Sequence, residues 1–230
     1  MKDSQSDDEE KNVKGKDDWR WVDESVKMNG LYVVSLEKDT GGKREPRKLT
    51  QDFNVFGNFE WSPDGKFIVF SRTRMPKADY WMTSDLYSIN VATGEAKVLA
   101  ATAAAESNPA LSPDGKQLAF VISDDPPRWA GYRRIAIMPA TGGTARMMSE
   151  SFDAQPNLIA WSADGKEIYF SETRGTITRI YSIDINANAI TEFNRGNEVL
   201  AGVSLNRSRT TFGFTMQGND KPAEAYVSNT

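Results

Sequence analysis

The sequence predicts an all-β protein assembled from repeated four-stranded antiparallel sheets. Two observations carry this. The stretch Trp61-Ser62-Pro63-Asp64-Gly65-Lys66-Phe67-Ile68-Val69-Phe70 returns as Leu111-Ser112-Pro113-Asp114-Gly115-Lys116-Gln117-Leu118-Ala119-Phe120, and again as Trp161-Ser162-Ala163-Asp164-Gly165-Lys166-Glu167-Ile168-Tyr169-Phe170, at a constant interval of fifty residues. A fixed period of this size marks a repeat architecture. A second motif, Leu31-Tyr32-Val33-Val34, returns as Leu86-Tyr87-Ser88-Ile89, Ile135-Ala136-Ile137-Met138 and Ile180-Tyr181-Ser182-Ile183. Each of its copies precedes a polar turn and one more short strand. One unit is then strand, hairpin, strand, connection, strand, turn, strand, in about 45–50 residues, which is the size of one β-propeller blade.

Taken in order, residues 1–18 are charged, without apolar period, and read as a flexible linker. Trp19 and Trp21 fall on one face of a strand, and the acidic pair Asp23 and Glu24 after them is a candidate clamp for a positive group such as a peptide amino terminus. Residues 19–50 supply the last strands of an early blade. Full blades follow near 57–100, 107–149 and 157–194. In the first two hairpins proline presets φ for the second turn position, and in all three aspartate tolerates the third and glycine takes positive φ. After the turn both strand faces are apolar, as expected of a strand buried between stacked sheets. A last partial blade covers 202–230. There Asn206-Arg207-Ser208-Arg209 stands where the hairpin turn belongs, with Arg209 in the glycine position, so the turn reads as decayed. About four to five blades are present, and the partial blade at each end suggests a portion of a larger propeller. The two partial blades closing a small ring together is the alternative. Self-association through uncovered blade faces is a further expectation.

Composition removes several functions. The net charge is −4, so no broad basic surface for nucleic acid is implied. No apolar run is long enough to span a membrane. Cysteine and histidine are both absent, which leaves no Ser-His-Asp or Cys-His catalysis, no thiolate ligand and no histidine zinc site within these 230 residues. No G-x-S-x-G elbow occurs. No cofactor and no metal site are expected, and a propeller lyase with clustered histidine ligands is disfavoured. The composition is compatible with the cytoplasm and with a periplasmic or secreted location.

The Trp-Ser-Pro-Asp-Gly-Lys-Phe-Ile-Val-Phe repeat resembles the WD40-like or TolB-like repeat over about residues 30–230. That repeat occurs in TolB-like periplasmic proteins and in the propeller of the prolyl oligopeptidase family of serine peptidases, which includes dipeptidyl and acylaminoacyl peptidases. Leu31–Val34 with Arg47-Lys48-Leu49-Thr50, and Phe214-Thr215-Met216 with Lys221–Val227, are similar to stretches of the peptidase propeller. The segment Trp19–Glu24 loosely resembles the acidic clamp of dipeptidyl peptidases. The resemblance implies a non-catalytic propeller portion that gates and positions short peptides, with a C-terminal α/β-hydrolase domain, absent from this chain, as its partner. No catalytic residue is carried over. A TolB-like protein-binding scaffold is the second reading.

The candidate site residues lie on the rim opposite the Asp-Gly turns. Its connections are long and unlike one another, and such loops on a rigid scaffold carry function. Arg72, Arg74, Tyr80 and Trp81 come from one loop; Arg128, Trp129, Tyr132 and Arg133 come from the next. Arginine with tryptophan and tyrosine is the mix that anchors interfaces.

Overall fold

The computed structural model describes residues 7–16, 26–38, 41–194 and 196–230. The fold is a β-propeller portion. Strands β1 (Tyr32–Val33) and β2 (Arg47–Lys48) pair as a two-stranded sheet. Then come three four-stranded antiparallel meanders. The first is β3 (Asn54–Trp61), β4 (Phe67–Thr73), β5 (Asp85–Asn90) and β6 (Ala96–Ala100). The second is β7 (Glu106–Leu111), β8 (Gln117–Ser123), β9 (Arg133–Pro139) and β10 (Arg146–Met147). The third is β11 (Asn157–Trp161), β12 (Glu167–Arg174), β13 (Ile177–Asp184) and β14 (Ile190–Glu192). A three-stranded sheet ends the chain: β15 (Val199–Leu205), β16 (Thr211–Gly218) and β17 (Lys221–Asn229). Among the described residues the two end sheets do not join into one.

The core is a series of wedges between sheets rather than one centre. In β4, Ile68 and Phe70 face back with Leu31, Leu49 and Tyr87, while Val69 faces forward with Leu111, Leu118 and Phe120. In β8, Leu118 and Phe120 face back, and Ala119 and Val121 face forward onto Trp161, Ile168 and Phe170. The period-two alternation therefore feeds two neighbouring interfaces at once, which is why both faces are apolar. The last wedge stacks Tyr169, Phe193 and Phe212 edge-on, with centroids 5.1–6.0 Å apart. A cation on the outermost strand of the first three sheets also reaches a turn carbonyl of the next sheet: Arg47 to Val91 O, Lys97 Nζ to Thr141 O at 2.9 Å, and Arg146 Nη2 to Ile185 O at 2.6 Å.

The hairpin turns use their serine as much as their proline. Ser62 Oγ accepts from Phe67 N (2.9 Å) and donates to Asp64 Oδ1 (2.7 Å), which also accepts from Lys66 N (3.1 Å). Gly65 closes the turn at φ +70°. The other two copies repeat these bonds. The serine hydroxyl, ahead of the lysine amide, holds the Asp64, Asp114 and Asp164 carboxyls below the usual aspartate value.

Two expectations need correction. The fourth turn has decayed in sequence but not in geometry. Asn206 Oδ1 accepts from Thr210 N (2.9 Å) and Thr211 N (3.2 Å), doing the work of both serine and aspartate, and Arg209 occupies the glycine position at φ +59°. Within the charged linker, Asp7–Gly15 is an α-helix, α1. Four acidic residues in its first turn and Lys14 in its last suit the helix dipole, and Asp8–Lys11 and Glu10–Lys14 pair along it. Glu9 Oε2 meets Lys27 Nζ at 2.5 Å, tying the helix to the chain before β1.

Candidate functional site

On the rim opposite the Asp-Gly turns, two long connections face each other. The β4–β5 connection contains a single 3-10 turn, Ala78–Thr83, held by Tyr80 N to Lys77 O and Ser84 N to Trp81 O, both 3.1 Å. It buries Trp81. The β8–β9 connection folds back on itself. Asp124 N donates to Tyr132 O at 2.9 Å, and Asp124 Oδ2 accepts from Arg128 Nε at 2.8 Å and Nη2 at 2.5 Å. That pairing, led by the Arg128 hydrogen bonds, holds the Asp124 carboxyl below its ordinary value. Gly131 passes where any side chain would strike the Asp124 carboxylate, 2.3 Å from a Cβ position, and Gln155 Nε2 fixes the Gly131 carbonyl at 2.6 Å.

Between these connections lies a cavity of about 340 Å³, lined by Phe56, Trp81, Ser107, Val121, Trp129 and Arg133 among others. The Trp81 and Trp129 rings meet edge-on at 5.5 Å, and the Arg133 guanidinium lies 5.2 Å from the Trp81 ring centre. Trp129 is 63% exposed while Trp81 is 8% exposed, and the Trp81 indole N–H is buried without a partner. A buried donor of this kind is costly unless something accepts from it. The arrangement offers an aromatic wall and one fixed cation, suited to holding a backbone carbonyl or carboxylate beside an apolar group.

Of the eight rim residues proposed from sequence, the structure brings Trp81, Trp129 and Arg133 to this cavity. Arg128 is held in its own loop, and Tyr132 is exposed beside it. Tyr80 is half-buried in the 3-10 turn and Arg74 is exposed. Arg72 points elsewhere: its guanidinium stacks 4.2 Å from the Tyr87 ring and 4.9 Å from Phe53, on the face toward β1 and β2. Asp23 and Glu24, with Trp19 and Trp21, lie outside the described residues.

Sequence reasoning missed three polar arrangements. Asn58 Nδ2 donates to Asn108 Oδ1 (3.3 Å) and Asn108 Nδ2 to Asn157 Oδ1 (3.5 Å), a ladder across the first strands of three sheets whose members sit fifty and forty-nine residues apart. Glu60 Oε2 accepts from Leu111 N (2.8 Å), and its other oxygen lies 3.6 Å from Arg209 Nη2, so the first and last meander-type sheets are linked across the middle. Burial nonetheless raises the Glu60 carboxyl.

The third arrangement lies next to the cavity. Glu106 N donates to Ser84 O (2.8 Å), and its fully buried carboxylate accepts from Thr102 Oγ1 and leaves Oε2 without a partner. Burial raises the Glu106 carboxyl, and the nearby Asp85 charge adds to this; Asp85 is raised by its own burial, opposed by Arg72 and Arg74. A carboxyl raised on folding binds protons more readily in the folded chain, so it adds stability as pH falls from neutral toward about 4.5. The turn aspartates act in the opposite sense: their contribution is present above about pH 3.9 and is lost as pH falls through their depressed folded values. Stability should therefore peak in mild acid. Glu106→Gln should gain on the order of 1 kcal/mol at pH 7 and flatten the rise toward pH 5, as read from urea unfolding at the two pH values.

Comparison with known proteins agrees with this architecture. No family model matches the chain. Dipeptidyl-peptidase 5 of Porphyromonas gingivalis is 24% identical over 151 residues, covering 64% of this chain and 22% of that protein. The chain thus spans about a fifth of the length of that curated relative. In structure, TolB from Acinetobacter baumannii matches with a TM-score of 0.64 at 19% identity, covering 84% of this chain and 45% of TolB. A puromycin-hydrolyzing peptidase of Mycobacterium tuberculosis matches with a TM-score of 0.62 at 15% identity, covering 87% and 35%. The two structural matches share the fold. The chain is a TolB-like β-propeller portion, similar in sequence to a segment of Dipeptidyl-peptidase 5.

Proposed function

We propose that this propeller portion admits and positions short peptides for a hydrolase domain carried elsewhere in the parent protein, and does not itself cleave them. The observation that supports this best is the rim cavity of Trp81, Trp129 and Arg133, in a chain similar to a segment of a dipeptidyl-peptidase. Arg133 would hold a peptide carboxylate or carbonyl, and Trp129 would cover the adjacent side chain. The chain has no histidine and no cysteine to activate a nucleophile by the usual dyads.

The test is titration of trialanine into the folded chain, followed by calorimetry. Trialanine is expected to bind, and Trp129→Ala and Arg133→Ala are each expected to weaken it about tenfold, a loss of about 1.4 kcal/mol. Alanyl-alanine p-nitroanilide should not turn over, and cleavage that follows the folded chain through purification would refute the proposal. A second reading, a protein-binding scaffold, draws on the TolB match and on the exposed Trp129 and Tyr132 of the same rim. It predicts no trialanine binding.

A further inference from the structure

The opposite rim holds a second cleft, between the β3–β6 and β7–β10 sheets. Its volume is about 380 Å³, and its walls are Phe67, Val69 and Leu99 from one sheet and Leu111 and Ala140 from the other. The repeat shows what this place is shaped to hold. Trp61, Leu111, Trp161 and Leu205 are equivalent: each pairs across its hairpin with the residue that follows the turn, Ile68, Leu118, Ile168 and Phe212 respectively.

One sheet further on, the same place is filled. Trp161 is fully buried in a wedge with Ala119, Ile137 and Met148, the counterparts of Val69, Ser88 and Leu99, and its Nε1–H donates to Ala110 O at 2.8 Å. At the last interface the residue is Leu205, but Tyr169, Phe193 and Phe212 supply aromatic rings instead. Between the first two meanders the place of the tryptophan is taken by Leu111, Phe120 is the one buried ring of the wedge where the next wedge has Trp161, Phe170 and Tyr181, and Phe67 is left 40% exposed at the mouth.

We infer that this cleft binds a neutral, flat aromatic group of indole size. Its walls are apolar, as ligand pockets of this size are. Its polar edge is close to balanced. Asp64 and Asp114 each lie 3.7 Å from their own lysine, Lys66 and Lys116, and Lys97 is held on Thr141 O. An ionised ligand therefore gains little there, while an uncharged ring gains burial on both faces. The site is independent of the loop cavity on the other rim.

The experiment uses indole as the free ligand and N-acetyltryptophanamide as the chain-borne one, each titrated into the 230-residue protein by NMR. One site per chain is expected, with intermolecular NOEs from the ring protons to the methyls of Val69, Leu99 and Leu111. Binding of either probe at those methyls supports the site, and the pair tells a small molecule from a tryptophan of another chain. Leu111→Trp should fill the cleft and weaken binding at least about tenfold. If neither probe binds at millimolar concentration, or the NOEs fall on other methyls, or a folded Leu111→Trp variant binds as before, the inference is wrong. The wild-type NOEs decide the matter even if the variant does not fold.

Discussion

Trp161→Ala should be the most damaging single change in the chain. The side chain is 0% exposed, fills the wedge between the second and third meanders, and donates its indole N–H to Ala110 O. Truncation leaves a large cavity and an unpartnered carbonyl, and buried tryptophan-to-alanine changes cost about 3–5 kcal/mol. Total stability of a domain is only about 5–15 kcal/mol, so the variant should sit at or beyond the edge of folding. Trp61→Ala is the control. It occupies the same place in its repeat but is 43% exposed, because among the described residues only the short two-stranded β1–β2 sheet stands against that face. Its cost should stay under about 1 kcal/mol. Urea midpoints of the two variants, compared with the parent, check both values; equal losses would mean that the repeat position, not burial, sets the energy.

Glu172→Ala should come second. Glu172 is 2% exposed in β12 and organises the connection into the third meander: Oε1 accepts from Ser151 Oγ (2.5 Å) and Gln155 N (2.9 Å), and Oε2 from Phe152 N (2.9 Å). Removing the carboxylate strands three donors, two of them backbone amides that nothing else satisfies, for a loss of about 3 kcal/mol. Glu172→Gln keeps acceptors for part of the set and should lose less. The effect should also be local. Limited proteolysis near 149–155 should speed up more in Glu172→Ala than global unfolding accounts for, since freed loop amides open without the whole sheet. That loop carries Gln155, which fixes Gly131 in the connection that carries Trp129, so Trp129 should become more accessible to a quencher in the same variant.

The strands and hairpins were readable because their signals are local. Pro-Asp-Gly chemistry and two-residue alternation act over ten residues, and the fifty-residue interval repeats them. Arg72 shows that more was there to be read. It shares the even-numbered face of β4 with Ile68 and Phe70, so it had to point toward the preceding sheet and away from the rim cavity. The asparagine ladder was equally open to alignment of the repeats, since Asn58 and Asn108 keep the interval. The meeting of Trp81, Trp129 and Arg133 was not readable. It depends on how two irregular connections fold against each other, and no period governs those. The link from Arg209 to Glu60 needs the curvature of the whole array, which only the packed sheets define.

Neighbouring hairpin turns stand in contact along their rim. Pro63 lies against the turn of the next sheet, so that a side chain at Gly115 would put its Cβ 3.1 Å from the proline ring; Pro113 stands 3.6 Å from the same point at Gly165. The Pro63 ring thus crowds any side chain at Gly115, fifty-two residues downstream, while the approach of Pro113 to Gly165 is ordinary contact. The third hairpin has Ala163 instead, and the following hairpin is the one in which the glycine has given way to Arg209. The Arg209 side chain reaches Trp161 O at 3.2 Å and Glu60 beyond it, so the residue that replaces the glycine ties the last sheet to the third and the first meanders.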